Sequence, residues 1–259
     1  MTRIKELAQS LLKQAQKNVQ DVDWNTIFYN AVPNLLLDQL EKYFRLEIEG
    51  AHHLPKRGAA IVIANHSGFS GFDAVMLIHE VYKNTGRIPR ALAHWFWFTT
   101  KLTAYPMEKL GFLKATSDNG LNALKRNRML MIFPEAEYGN FKPSAQAYQM
   151  QNFKTGFVRM ALLEQCPIIP VIILGAEETH INLKQFKLSP KLKSMIIPLP
   201  LNLLPLPAKW KMVVLPPIVY PFDASRADDT DLLNELAGEM RDRMQAAIQE
   251  ELSKRQSVF

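Results

Sequence analysis

The chain has 259 residues, 47% of them apolar, with 31 Lys and Arg against 25 Asp and Glu and a single cysteine. That is enough apolar mass for one sizeable core, and the net charge of +6 favours an anionic partner: nucleic acid, anionic lipid, or a phosphorylated or CoA-type substrate. Cys166 alone permits no intrachain disulfide and fits a reducing compartment, and no run reaches the roughly 18 consecutive apolar residues that a spanning helix needs.

Within residues 1–20, Ile4, Leu7, Ala8, Leu11, Leu12 and Ala15 recur at helical spacing among Arg3, Lys5, Lys13 and Lys17. This predicts a basic amphipathic helix suited to partial membrane contact, and it lacks the apolar h-region of a secretory signal. The expected location is therefore the cytoplasm, with peripheral attachment to the membrane. A second helix is predicted from Trp24 to Phe44, interrupted near Pro33, making residues 1–45 a helical, possible membrane-contacting segment ahead of an α/β domain over 46–259.

Strands are predicted at 46–51 (LEIEGA), 60–65 (AIVIAN), 129–133 (MLMIF), 168–174 (IIPVIIL) and 212–220 (MVVLPPIVY). Runs such as IVIA and VIIL do not alternate, so they read as strands buried on both faces. Helical patterns follow at 73–84, 117–127 and 153–165, and a long C-terminal helix at 230–255 carries Leu233, Leu236, Met240, Met244, Ile248 and Leu252 on one stripe. Strands separated by helices imply one α/β domain with a central, mostly parallel sheet flanked by helices, plus an N-terminal helical hairpin and a C-terminal helix. The proline-rich stretch 198–207 (PLPLNLLPLP) is expected to be an apolar loop.

The chemistry concentrates at Asn65-His66-Ser67-Gly68-Phe69-Ser70-Gly71-Phe72-Asp73, where a buried strand ends and a helix begins. Strand ends of parallel sheets are where loops converge to build sites. A neutral imidazole there accepts a proton from a hydroxyl while a carboxylate fixes its tautomer, and the glycines permit the turn that returns Asp73 to His66. The same residues equally suit structural duty, with His66 capping the strand and Asp73 the helix. A second acidic cluster, Glu135 and Glu137 in FPEAEYG, and a third, Glu177 and Glu178 after LGA, also follow buried strands.

The ordered blocks NH…D, GFLK at 111–114, FPE at 133–135 and PIIPVIILG at 167–175 resemble the glycerolipid acyltransferases related to 1-acylglycerol-3-phosphate acyltransferase. The resemblance implies acyl transfer without an acyl-enzyme. His66 would deprotonate the hydroxyl of a lysophospholipid, lysophosphatidic acid or diacylglycerol-like acceptor, and Asp73 would orient the imidazole. The alkoxide would attack an acyl-CoA or acyl carrier protein thioester. It further implies Glu135, Lys114, Ser67 and Gly68 as substrate-binding residues, a membrane lipid and an acyl thioester as partners, and no cofactor or metal. Six residues separate His66 from Asp73 where the family pattern has four, a longer loop similar to that of bacterial relatives of mono- and diacylglycerol acyltransferases. The pattern FPEG-[ST]-R is also broken: Ala136 stands for the glycine, and the arginine is missing.

The run Ala91-Leu92-Ala93-His94-Trp95-Phe96-Trp97-Phe98, with Tyr105 and Pro106 beyond, suits an acyl tunnel, a bilayer interface or an ordinary buried helix. Two rivals to an acyltransferase remain in view. A serine-type lipid hydrolase is hinted at by Gly68-Phe69-Ser70-Gly71, but Phe72 occupies the position where a nucleophile elbow needs glycine. A non-enzymatic basic lipid-binding protein is hinted at by the charge, whereas zinc-ligand spacing and an Arg-rich, aromatic-interleaved face for nucleic acid are missing.

Overall fold

The computed structural model describes residues 32–67, 70–187 and 196–259. The chain divides into two compact units, Met1–Gln39 and Leu40–Phe259, and the sheet and the site lie in the second. The amphipathic helix expected at 1–20 and the start of the second helix lie outside the described residues, as does Gly68. In chain order the elements are α1 (Val32–Tyr43), β1 (Glu47–Glu49), β2 (Ala60–Ala64), α2 (Phe72–Thr85), β3 (Arg90–Ala93), α3 (Lys101–Lys109), β4 (Phe112–Lys114), α4 (Ser117–Lys125), β5 (Met129–Ile132), α5 (Ala136–Asn140), α6 (Gly156–Glu164), β6 (Ile168–Leu174), α7 (Ala176–Thr179), β7 (Asn182–Lys187), β8 (Ile196–Pro200), β9 (Lys211–Val214) and α8 (Thr230–Lys254).

Seven strands form one sheet in the order β1-β9-β6-β2-β5-β3-β4. From β6 to β4 the pairing is parallel throughout, whereas β9 runs antiparallel to β6 and carries β1 parallel to itself. The α/β fold with a mostly parallel sheet is thus the one expected. Every residue of β2 and β6 is buried, which is why both strands are written as unbroken apolar runs. One core cluster joins Ile61, Ile63, Leu130, Ile168 and Ile172 of the sheet to Phe157 and Met160 of α6 and to the predicted stripe of α8 from Leu233 through Ile248. Pro170 is tolerated inside β6 because its neighbour β9 ends at Val214. Its carbonyl still accepts from Leu215 N–H at 2.9 Å. Cys166 packs in the same core, and burial pushes its thiol up to about 11, keeping it protonated.

Three expectations are corrected. The strand expected at 212–220 stops at Val214, because Pro216 and Pro217 cannot donate to a ladder; only an isolated antiparallel bridge joins Ile168 to Ile218. The stretch 198–207 begins as a strand, not a loop: Pro198–Pro200 belong to β8, which pairs antiparallel with β7 in a two-stranded sheet where prolines are admissible at an edge. The aromatic run is not a buried helix. Arg90–Ala93 is strand β3, and Trp95–Phe98 is a 3₁₀ turn with none of its residues buried.

Candidate active site

The site is built where β2 ends. Asn65, fully buried, uses both ends of its amide on β6: its Nδ2 donates to Ile173 O at 2.9 Å and its Oδ1 accepts from Ile173 N–H at 2.7 Å. This pins the strand end, so the next residue, His66, leaves the sheet in a fixed direction. The chain returns through Gly71 at φ +74°, a left-handed conformation that glycine adopts without strain, and enters α2 one residue before Asp73.

Asp73 is buried, and its hydrogen-bond partners among the described residues are all local. One oxygen lies 2.6 Å from His66 Nδ1 and accepts from Ser67 N–H at 2.8 Å, while the other accepts from Ala74 N–H at 2.7 Å. With the carboxylate at Nδ1, the ring carries its proton there and leaves Nε2 as the basic nitrogen. Phe133, at the end of neighbouring β5, stacks on the imidazole at 4.3 Å between centroids. The His66 side chain is 16% exposed, so the ring is held on two sides but not sealed. The longer loop therefore still brings the two residues together.

Glu135 points inward. It is wholly buried, its Oε1 accepts from His66 N–H at 3.0 Å and its Oε2 from Gln151 N–H at 2.6 Å. Both oxygens are engaged on backbone, so Glu135 braces the loop that presents His66. Gly139 makes room for it, since a Cβ there would fall 2.5 Å from the Glu135 Cβ. Ala136 follows with φ +53°, a conformation that costs a non-glycine residue about 1–2 kcal/mol.

Behind Glu135 lies Lys142, buried, with its Nζ 2.9 Å from Glu177 Oε1 and 4.0 Å from Glu135 Oε2. Glu177 also accepts from Tyr148 N–H at 2.8 Å. Burial raises the Glu177 carboxyl from 4.5 to about 7, against the lowering pull of Lys142. The folded state thus holds a proton that the unfolded chain releases, so this group's contribution to stability is greatest at low pH and declines as pH rises from about 4.5 through about 7. The Glu177→Gln variant, which keeps an acceptor for Tyr148 N–H, is expected to lose that slope. Chemical denaturation at a series of pH values measures it; parallel curves for the two proteins refute the assignment.

Residues 45–174 match the family described as Acyltransferase. The chain belongs to the Acyltransferase family. An uncharacterized protein of Mycobacterium tuberculosis is 31% identical to this acyltransferase over 257 residues, covering 93% of this chain and 72% of its own. One of Mycobacterium leprae is 30% identical over 256 residues, covering 93% and 70%. The solved structure of the 1-acyl-sn-glycerophosphate acyltransferase of Thermotoga maritima shares the fold, with a TM-score of 0.57 and 18% identity over 99% of this chain and all of that one.

The remaining expected residues of the acyltransferase scatter. Ser67 belongs to the site through its backbone, but its side chain is buried, and its Oγ lacks a hydrogen-bond partner among the described residues, lining a small cavity of about 10 Å³ with Lys142, Glu177 and Asn182. Lys114 is exposed at the end of edge strand β4, three strands from β2 and so about 14 Å along the sheet. Glu178 pairs with Arg255 at 2.6 Å. Sequence reasoning missed Asn65, Phe133, Gln151 and Lys142. Of these only Asn65 and Phe133 carried a signal, as the residues flanking the His66 and Glu135 motifs at strand ends.

Exposed apolar side chains stand on the segments leaving this end of the sheet. Trp97 and Leu102 follow β3, whose next residue His94 faces Glu137 of α5 at 3.8 Å. On the other flank, His180 stacks with Phe72 of α2, and the β7–β8 sheet that follows exposes Phe186, Ile197 and Leu199, then Leu203 and Leu204 at 79% and 83%.

Proposed function

We propose that this acyltransferase moves a fatty acyl group from acyl-CoA or acyl carrier protein to a hydroxyl of a glycerolipid, working at the membrane surface. The observation that carries the reading is the His66 imidazole gripped at Nδ1 by Asp73 and backed by Phe133, with Nε2 outside these contacts. Nε2 takes the proton of the acceptor hydroxyl, and the buried Asp73 carboxylate stabilises the imidazolium that forms. The oxygen attacks the thioester carbonyl, and collapse of the tetrahedral adduct forms the ester and expels the thiolate, which takes the proton from the imidazolium.

A lipid acceptor suits the surroundings. No helix among the described residues is long and apolar enough to cross a membrane. The exposed Leu203 and Leu204, the exposed Phe96, Trp97 and Leu102, and exposed Lys184 and Lys187 beside Phe186 combine apolar bodies with cations, the pairing that anionic bilayers attract. The lack of an arginine after FPE leaves lysophospholipid and diacylglycerol acceptors on an equal footing with lysophosphatidic acid.

The test is transfer from radiolabelled acyl-CoA and acyl carrier protein to each of these acceptors, presented in phosphatidylglycerol-rich vesicles. Label is expected in a new lipid ester, with vesicle binding lost in a Leu203→Glu/Leu204→Glu variant. Release of free fatty acid with no lipid ester formed from any acceptor would sink the assignment.

A further inference from the structure

The chemistry proposed for His66 makes no use of Lys142, yet among the described residues this is the one buried lysine or arginine, and it stands behind the loop that carries the proposed base. Lysine is among the residue types least often buried, because an ammonium removed from water must be fully compensated. Lys142 is 6% exposed, and its Nζ contacts Glu177 Oε1 at 2.9 Å, donates to Gln149 O at 3.2 Å and approaches Glu135 Oε2 at 4.0 Å. A hydrophobic residue of similar volume serves mere packing equally well. What a charge adds here is direction, since both of its acids end on backbone amides beside the site: Glu135 on those of His66 and Gln151, Glu177 on that of Tyr148.

We infer that Lys142 is a positioning residue of this acyltransferase, its ammonium holding the buried Glu135 carboxylate in the one orientation that fixes the His66 backbone. The inference rests on the His66 reading for its kinetic consequence, though not for its structural one. Without the cation, Glu135 is a buried acid with no compensating charge beyond two amide dipoles. It then turns toward whatever polar space is open, and His66 N–H loses its acceptor. The imidazole moves by a fraction of an ångström to an ångström, enough to matter to a proton transfer and too little to alter substrate binding far from it.

The experiment compares wild type, Lys142→Met, Glu135→Gln and the double variant. Lys142→Met is expected to lower kcat about 10- to 100-fold while KM for donor and acceptor stays within about two-fold, as a misplaced catalytic group predicts. Because the two residues act in series, the double variant is expected to be no slower than the slower single one. Hydrogen exchange at the His66 amide is expected to quicken in Lys142→Met, a readout that needs no turnover. Full kcat in folded Lys142→Met, or additive losses in the double variant, overturns the inference. Should Lys142→Met fail to fold, Glu177→Gln decides: it leaves the lysine to Glu135 alone, so the His66 amide must exchange no faster than in wild type, and faster exchange refutes the link. If His66→Ala keeps transfer while Lys142→Met still loosens that amide, the functional reading fails and the coupling stands. If His66→Ala is inactive and Lys142→Met changes neither kcat nor exchange, the coupling fails and the reading stands.

Discussion

The His66→Ala variant is expected to transfer acyl groups about 10²–10⁴-fold more slowly than wild type, the usual contribution of a positioned general base. The loss should fall on kcat, because in the proposed mechanism the alanine removes a proton acceptor used only as the bond forms. Folding should be spared: the ring is partly exposed, and the contacts that order the loop run through the backbone of His66 and Ser67. Initial rates at saturating donor and acceptor, with a thermal melt as control, decide the matter. Equal turnover by the two proteins would remove His66 from the reaction.

Asp73→Asn is expected to cost about as much, up to the order of 10⁴ in kcat, the penalty expected when an amide replaces the carboxylate that orients a catalytic histidine and selects the wrong tautomer. Here the geometry adds a second cost. Among the described residues, the Asp73 carboxylate accepts from three donors, His66 Nδ1, Ser67 N–H and Ala74 N–H. An asparagine must turn its NH₂ toward one end of this set. Facing Ala74, it leaves a buried donor unpaired, at about 1–3 kcal/mol. Facing His66, it donates to Nδ1, drives the ring proton to Nε2 and blocks the base, while also opposing Ser67 N–H. Either placement predicts a lower melting temperature together with the kinetic loss. A variant that is unstable but fully active would show that Asp73 merely caps α2.

The legible parts of this protein were those decided by local or two-sided burial. Strands β2, β5 and β6 read directly as apolar runs because neighbours cover both faces, and the α8 stripe read directly because one face meets the sheet and α6. Strands β3 and β4 did not: RALA and FLK are short, carry Arg90 and Lys114 at their ends, and acquire a register only by pairing next to β5. His66 with Asp73 was legible as a strand-end motif, since Gly71 supplies the turn whatever the exact loop length. The direction in which Glu135 points was not, because it depends on Gln151 and on the gap at Gly139, neither of which FPE specifies. Lys142 had no local signature, as its partner Glu177 arrives from the far side of β6. The departure at Ala136 was visible, and the backbone explains it: the site needs a left-handed residue there whether or not it is glycine.

The double amide clasp of Asn65 on Ile173 has a practical consequence. It joins the end of β2 to β6, the two central strands, whose exposure requires dismantling the sheet, so the strand end from which His66 leaves does not loosen by itself. Warming should leave turnover intact until the protein melts, with no earlier softening of the reactive centre.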